Sequence, residues 1–363
     1  MKFRCERDVL LEALSTAGRA VGGRAGNVAL SGLHLELTGD ILQVTGSDLD
    51  LTITREITVG GNTDGVVVVP AKLIADIVRA LGEGAVDLVV EGDEVQITAG
   101  RSEFSLRTIP ADDFPRLGAP SANEVKLSST DLADALKQVV KAASGDDSRP
   151  ILTGVLLAAE GEGLRLVSTD SYRLAVRDLP GTSVLGSDQS VLVPSRALAE
   201  LTRALGESEE VALRLGERDA SFGVGGTQVV TRLIEGDFPN YRGLIPDTYP
   251  NVLTVGRGEL LDAVRRVKLM AQEATPIRLN MSSDGLELVA VTQDVGQAQE
   301  ALDASYVGED LTVAFNPDYL IDGIEVTPGE EITLHTVDAL KPAVMRGADS
   351  EDFLYLLMPV RVS

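Results

Sequence analysis

The sequence has no tryptophan, one cysteine, two histidines, six tyrosines and seven phenylalanines among 363 residues. Cys5 alone cannot form an internal disulfide, and His34, His335 and Cys5 show neither the spacing of a zinc site nor that of a Cys–His nucleophile pair. His34, between Leu33 and Leu35, is expected on the exposed face of a strand. So few aromatic rings also leave little with which to stack single-stranded bases. Basic residues are scarce: 32 Lys plus Arg stand against 56 Asp plus Glu, a net charge of −24 that repels nucleic acid and anionic membranes if it is spread evenly. Long apolar runs are missing too, and stretches such as 65–70 and 155–159 fall well short of the roughly 20 residues that cross a bilayer. The opening Met1 to Asp8 lacks the apolar core of a signal peptide, so a reducing cytoplasm and no membrane partner are expected.

Catalytic and cofactor signatures are absent as well. The Gly-rich stretches 22–26 and 223–226 have no P-loop lysine and no strand-to-helix setting, and they read as turns. Asp112-Asp113 and Asp146-Asp147 could in principle hold a hard cation or act as acid and base, but their loop positions read as solvated turns. No catalytic residue, no metal and no cofactor is expected.

What is present is a threefold internal repeat. Pro70, Pro194 and Pro317 each precede or open an apolar-periodic segment and lie 124 and 123 residues apart, and Asp113-Phe114-Pro115 recurs 124 residues later as Asp237-Phe238-Pro239. Leu10, Leu14, Ala17 and Val21 form a helical stripe that Leu132, Leu136, Val139 and Ala143 repeat, as do Leu260, Val264, Val267 and Ala271. Period-two strands and glycine turns follow each stripe, as in 33–37 with Gly39-Asp40 and 277–281 with Asp284-Gly285. The pattern predicts an α+β protein of three repeated domains, each a duplicated β-α-β-β-β unit. Turn-rich segments at 116–123 and 247–251 place the domains at 1–120, 121–249 and 250–363.

Charge is segregated along this pattern. Six helices are predicted: 7–21, 71–81, 129–142, 195–205, 257–270 and one near Asp318. The first three carry one net positive charge, the next two three, and the last three negatives, so the helices total +1 and the rest of the chain carries the net −25. Two chains joined head to tail would bring twelve helices together, and a rotation that closes makes a ring. At about 8 to 10 Å between axes, the helices enclose a circle roughly 31 to 38 Å across, wide enough for a duplex of about 20 Å. Phosphate contacts without base contacts would let such a ring slide. The helices supply Lys137, Lys141, Arg265 and Lys268 as candidate DNA contacts.

The opening Met1-Lys2-Phe3, Gly22-Gly23-Arg24, Val69-Pro70-Ala71, Phe104-Ser105-Leu106, Ser168 to Leu174, Gly236 to Arg242 and Leu357 to Arg361 resemble the bacterial DNA polymerase III beta subunit family, the sliding clamps, over the whole chain. The resemblance implies a non-catalytic homodimeric ring of the DNA clamp type, its helices lining the pore, that encircles double-stranded DNA after an ATP-driven loader opens it. It implies as partners the DNA polymerase III alpha subunit, the clamp loader delta subunit, and other polymerases and repair proteins that carry clamp-binding motifs. Their motifs would enter a groove formed by Arg149, Leu152, Thr169, Tyr172, Arg173 and Leu174, with Pro239, Leu244, Met345, Leu356, Met358 and Val360. The apolar run 356–360 supports part of that list independently, since Met gives an adaptable surface. The resemblance adds Arg24, Lys72, Arg196 and Arg203 as DNA contacts, and it sets Phe104 and Leu106 against Leu269 and Met270 across the dimer. Tyr172, Ser171 and Gly243 replace the family's His, Gly and Arg, which bears on motif preference. An acidic interaction scaffold that does not encircle DNA, and a carboxylate hydrolase, are the competing readings.

Overall fold

The computed structural model describes residues 1–22, 28–111, 114, 117–206, 208–271 and 275–361. In the first third, β1 (Lys2–Glu6) runs into α1 (Arg7–Gly18), followed by β2 (Gly32–Thr38), β3 (Ile41–Ser47), β4 (Leu51–Thr58) and the short β5 (Gly60–Thr63). Strand β6 (Gly65–Pro70) then leads to α2 (Ala71–Ala80), β7 (Ala85–Glu91), β8 (Glu94–Ala99) and β9 (Ser102–Arg107). The middle third holds β10 (Glu124–Ser128), α3 (Ser129–Val139), β11 (Gly154–Glu160), β12 (Gly163–Thr169) and β13 (Arg173–Leu179). It continues with β14 (Ser190–Pro194), α4 (Ser195–Ala204), β15 (Glu210–Leu215), β16 (Asp219–Val224) and β17 (Thr227–Arg232). The last third opens with β18 (Asn251–Gly256), α5 (Arg257–Lys268), β19 (Ile277–Ser282), β20 (Gly285–Thr292), β21 (Gly296–Leu302) and the short β22 (Ala304–Val307). It closes with β23 (Leu311–Phe315), α6 (Pro317–Val326), β24 (Glu331–Thr336), β25 (Ala343–Gly347) and β26 (Phe353–Leu357).

The β-α-β-β-β unit therefore stands six times, and β5 and β22 are additions that the hydrophobic pattern does not show. Strand β5 is largely solvated and carries no alternation, and β22, whose burial does alternate, spans only four residues. Pro70 and Pro194 close strands instead of opening helices, whereas Pro317 occupies the first turn of α6 behind Asn316, whose side chain accepts from Asp318 and Tyr319 amides.

The chain packs as two compact units that cut across the repeats. One comprises Met1–Thr130 with Arg196–Leu233, the other Asp131–Ser195 with Ile234–Ser363. In the first, an eight-stranded sheet runs β10-β15-β16-β17-β4-β3-β2-β6, and a five-stranded sheet runs β5-β1-β7-β8-β9. In the second, a nine-stranded sheet runs β14-β11-β12-β13-β26-β25-β24-β18-β22, and a four-stranded sheet runs β21-β20-β19-β23. Each long sheet thus joins half of the middle repeat to half of a flanking one, through β17 on β4 and through β13 on β26.

The first three members of each helical stripe are buried as their spacing requires, while Val21, Ala143 and Ala271 fall past the helix ends and are half-buried. Leu10, Leu14 and Ala17 of α1 and Ile74, Ile77 and Val78 of α2 fill one core with Leu33, Leu35, Leu88 and Ile97 of the strands. Burying each such side chain is worth roughly 1.5–3 kcal/mol. Cys5 lies in the same core, and burial pushes its thiol pKa up. His34 corrects the expectation of an exposed strand residue: it is 2% exposed, its ring 5.3 Å from that of Phe114. The alternation fails because β2 is covered on its second face by a small cluster of Ala29, Val68, Ile109 and Phe114.

Candidate functional site

The second unit brings part of the expected groove together around the turn between β12 and β13. Asp170 Oδ1 accepts from the amides of Tyr172 (2.9 Å) and Arg173 (3.0 Å), and Thr169 Oγ1 accepts from the Ser171 amide at 3.1 Å. This turn holds Ser171 at φ 82°, a left-handed conformation that favours glycine. Tyr172 projects from it, 58% exposed, and stacks on Tyr319 of α6 at 6.3 Å. Its carbonyl accepts from the Met358 amide at 2.9 Å, and Arg149 Nη1 donates to Ser171 Oγ at 3.4 Å. Tyr172, Leu244, Met358 and Val360 are exposed apolar side chains, and Pro239 is exposed beside them in sequence, while Leu152 and Thr169 are buried.

The register of β13 on β26 sorts the remaining residues by face. Leu174 pairs with Leu356 and Val176 with Leu354, and these side chains share one face with Val167 and Val344 under Tyr241. Tyr241, with Phe238 and Ile245, thereby anchors the loop that carries Pro239 and Leu244. Leu174 and Leu356 are about 1% exposed, so they are the packed base beneath that loop and not a contact surface. Arg173 and Met345 correct the groove list more sharply, for both belong to the opposite face. Met345 pairs with Tyr355, whose hydroxyl donates to the Tyr319 carbonyl of α6. Arg173 is enclosed: it bonds Asp170 (3.0 Å), Asp322 (2.6 Å), the Lys141 carbonyl (2.6 Å) and the Tyr355 hydroxyl (3.3 Å), and its guanidinium lies 4.4 Å over the Tyr319 ring. Burial works against the charge, but Tyr355, Asp322 and Asp170 outweigh it and raise the pKa above its ordinary value.

The helix cations are exposed but engaged. Arg196 pairs with Asp48, Arg203 with Glu200 and Lys268 with Asp318. Lys141 reaches Asp322 (3.2 Å) and Glu325 (2.9 Å), Arg265 reaches Glu325 (2.8 Å), and Lys137 lies 3.5 Å from Asp134. The bond to Glu325 raises the Lys141 pKa, and Lys141 in turn lowers that of Glu325. Lys72 is exposed on α2. Arg24 lies outside the described residues, as do Asp112, Asp113 and Pro115. The sequence reading overlooked the acids Asp48, Glu200, Asp318, Asp322 and Glu325 as partners, although the last four sit on repeated helices that were open to alignment; Asp48 lies in the turn between β3 and β4.

Of the four residues expected at the dimer contact, Phe104 and Leu269 are exposed, 37% and 82%. Leu106 is a correction: it points the same way as Phe104 but one residue pair deeper, and it is sealed in its own domain's core. Met270 is half-buried, and its carbonyl accepts from Thr292 Oγ1 at 2.6 Å. Asp146 is held below its ordinary pKa by the Ser148 hydroxyl and Arg149, as in a capped surface turn. His335, against Tyr249 and Thr333, is pushed down by burial and by Arg346. Among the described residues no group of three or more His, Cys, Asp or Glu is placed to hold a metal ion, and no helix is long and apolar enough to cross a membrane.

Six repeats of one unit, helices bearing paired cations and exposed apolar side chains at the β12–β13 turn and just past the last strand are the features of a protein of the DNA clamp class. Family models of the DNA polymerase III beta subunit match its N-terminal domain over residues 1–118, its central domain over 126–240 and its C-terminal domain over 242–361. The beta sliding clamp of Streptomyces coelicolor is 34% identical over the full length of both chains. The DNA polymerase sliding clamp of Bacillus subtilis superposes with a TM-score of 0.92 at 29% identity, and a sliding clamp from Pseudomonas aeruginosa bound to griselimycin with 0.92 at 30%, both over the whole of each chain. The chain belongs to the DNA polymerase III beta subunit family.

Proposed function

We infer that this chain is the sliding clamp of a bacterial replicative DNA polymerase, a non-catalytic processivity factor. Two copies join head to tail around double-stranded DNA, slide without reading sequence, and tether the DNA polymerase III alpha subunit, the clamp loader delta subunit and repair proteins. Full-length similarity to beta sliding clamps carries this reading, ahead of a scaffold that does not encircle DNA. Its domains are taken as 1–120, 121–249 and 250–363, and the cytoplasm as its compartment.

Within that reading, Arg24, Lys72, Lys137, Lys141, Arg196, Arg203, Arg265 and Lys268 face phosphates. Arg149, Tyr172, Pro239, Leu244, Met358 and Val360 receive the partner motif, with the buried Leu152 and Thr169 supporting them from beneath. The exposure of Tyr172, Leu244, Met358 and Val360 on a rigid turn and strand end supports the second assignment, because a preformed apolar surface lowers the ordering cost of a short peptide. The test is retention on a nicked circular plasmid after incubation with clamp loader and ATP, followed by one cut. Release on linearisation is expected, since the hold is topological. Failure to stay on the circle, or equal retention after cutting, would leave an ordinary binding protein.

A further inference from the structure

The repeats meet at two seams inside the chain, and the two seams are built alike. The residue two places past the third member of each first-helix stripe is Arg19, Lys141 or Leu269. The sixth residue of each second helix is Asp76 in α2, Glu200 in α4 or Asp322 in α6. Inside the first unit Arg19 Nε lies 2.7 Å from Glu200 Oε2 as an ion pair, and inside the second Lys141 Nζ lies 3.2 Å from Asp322 Oδ1. The same cation position thus meets the same acid position twice.

The strands agree. At the first seam Ile53 of β4 pairs with Val229 of β17, and at the second Ala175 of β13 pairs with Tyr355 of β26. All four are buried. Each of Ile53 and Ala175 sits in a hairpin opposite Gly46 or Ser168, and the third equivalent hairpin pairs Ala290 with Ala298. Val229 sits opposite Phe222, and the equivalent hairpin of the first repeat pairs Ile97 with Phe104. The strands left over, β21 and β9, are both edges of their sheets, and Phe104 is exposed where its equivalents are covered.

We propose that the seam between two copies repeats this register, with Ala298 opposite the partner subunit's Phe104, but lacks the crossing ion pair. Leu269 stands where Arg19 and Lys141 stand, facing the partner subunit's Asp76. Asp76 is already held by Arg79 at 2.7 Å, as Glu200 is held by Arg203. The intermolecular joint is therefore the one of the three with no crossing ion pair at this point, so screening ions remove nothing from it there. The inference rests on the head-to-tail reading above.

Because Leu269 is exposed in the single chain, replacing it leaves folding unaffected, and Leu269→Arg should rebuild the first seam's arginine–acid–arginine set between copies. Dimer dissociation would be followed by sedimentation of the full chain at about 0.1 M and about 1 M salt. With two seams per ring, the variant's Kd should rise with salt about fivefold more than the parent's, and adding Asp76→Asn should cancel the difference. Separately, Phe104→Cys with Ala298→Cys should give a covalent dimer on oxidation, whereas Phe104→Cys with Ala301→Cys should not. A monomeric Leu269→Arg, a salt response equal to the parent's, or cross-linking through position 301 instead of 298 would overturn the proposed seam. A parent that is monomeric at every concentration would remove the head-to-tail reading itself.

Discussion

At the scale of single residues, the most consequential side chain in the second unit is one that its neighbours hide. Arg173 compensates two carboxylates, Asp170 and Asp322, in a setting where its own side chain is only 10% exposed. A buried charge network is weak evidence of net stabilisation, since desolvation offsets much of the attraction, but removing one member leaves the others uncompensated. Arg173→Ala should therefore destabilise the fold by about 3–5 kcal/mol in denaturant unfolding. Tyr319 would lose its cation partner and Tyr172 part of its support, so motif binding should weaken as well. Arg173→Lys, which keeps the charge but loses the planar fork, should fall between the two. An unfolding midpoint unchanged in Arg173→Ala would mean that Lys141 suffices for Asp322, and the turn amides with water for Asp170.

At the scale of elements, one packing problem is solved differently in successive repeats. Strand β3 approaches the end of α1 so closely that a Cβ on Gly46 would sit 2.1 Å from the Ala17 carbonyl oxygen. In the next repeat the equivalent Ser168 turns its hydroxyl onto the equivalent carbonyl, that of Val139. Gly46→Ala should then cost about 1–3 kcal/mol through overpacking, even though alanine is the better residue for an ordered backbone. Thermal unfolding checks it, and a stabilised variant would contradict the close approach. Elements of this kind were largely legible in the sequence. The stripes from Leu10, Leu132 and Leu260 are set by the core each helix must cover, and the core imposes its period on the chain. What the chain could not disclose locally is which face a residue takes when its strand is covered twice or joined to a distant one. His34 is enclosed by Phe114, eighty residues away, and Arg173 and Met345 are turned from the groove face by the pairing of β13 with β26. The turn around Tyr172 was reached only through the family resemblance, whereas Met358 and Val360 belong to a terminal apolar run that the sequence itself displays.

At the scale of the whole molecule, a chain of net charge −24 presents cations that its own acids already neutralise in part. Lys268 with Asp318 is an exposed pair, and Arg196 with the buried Asp48 a half-exposed one; both are placed to set how much charge the cation offers a phosphate. A clamp gains from weak contacts: each cation fully committed to phosphate adds about 0.9 to the slope of log affinity against log salt and slows movement along the duplex. Asp48→Asn with Asp318→Asn frees one cation at each pair. Asparagine retains the oxygen with which Asp48 accepts from the Asp50 and Leu51 amides, so the loop should keep its shape. Binding of the double variant to linear duplex should tighten at low salt, and with two cations freed in each of two chains its salt slope should steepen by about 3.6 over the parent. On circular DNA the loaded ring should slide off more slowly after a single cut. If the slope does not change, the two cations already leave their carboxylates for phosphate in the parent, and the acids act only as their resting partners.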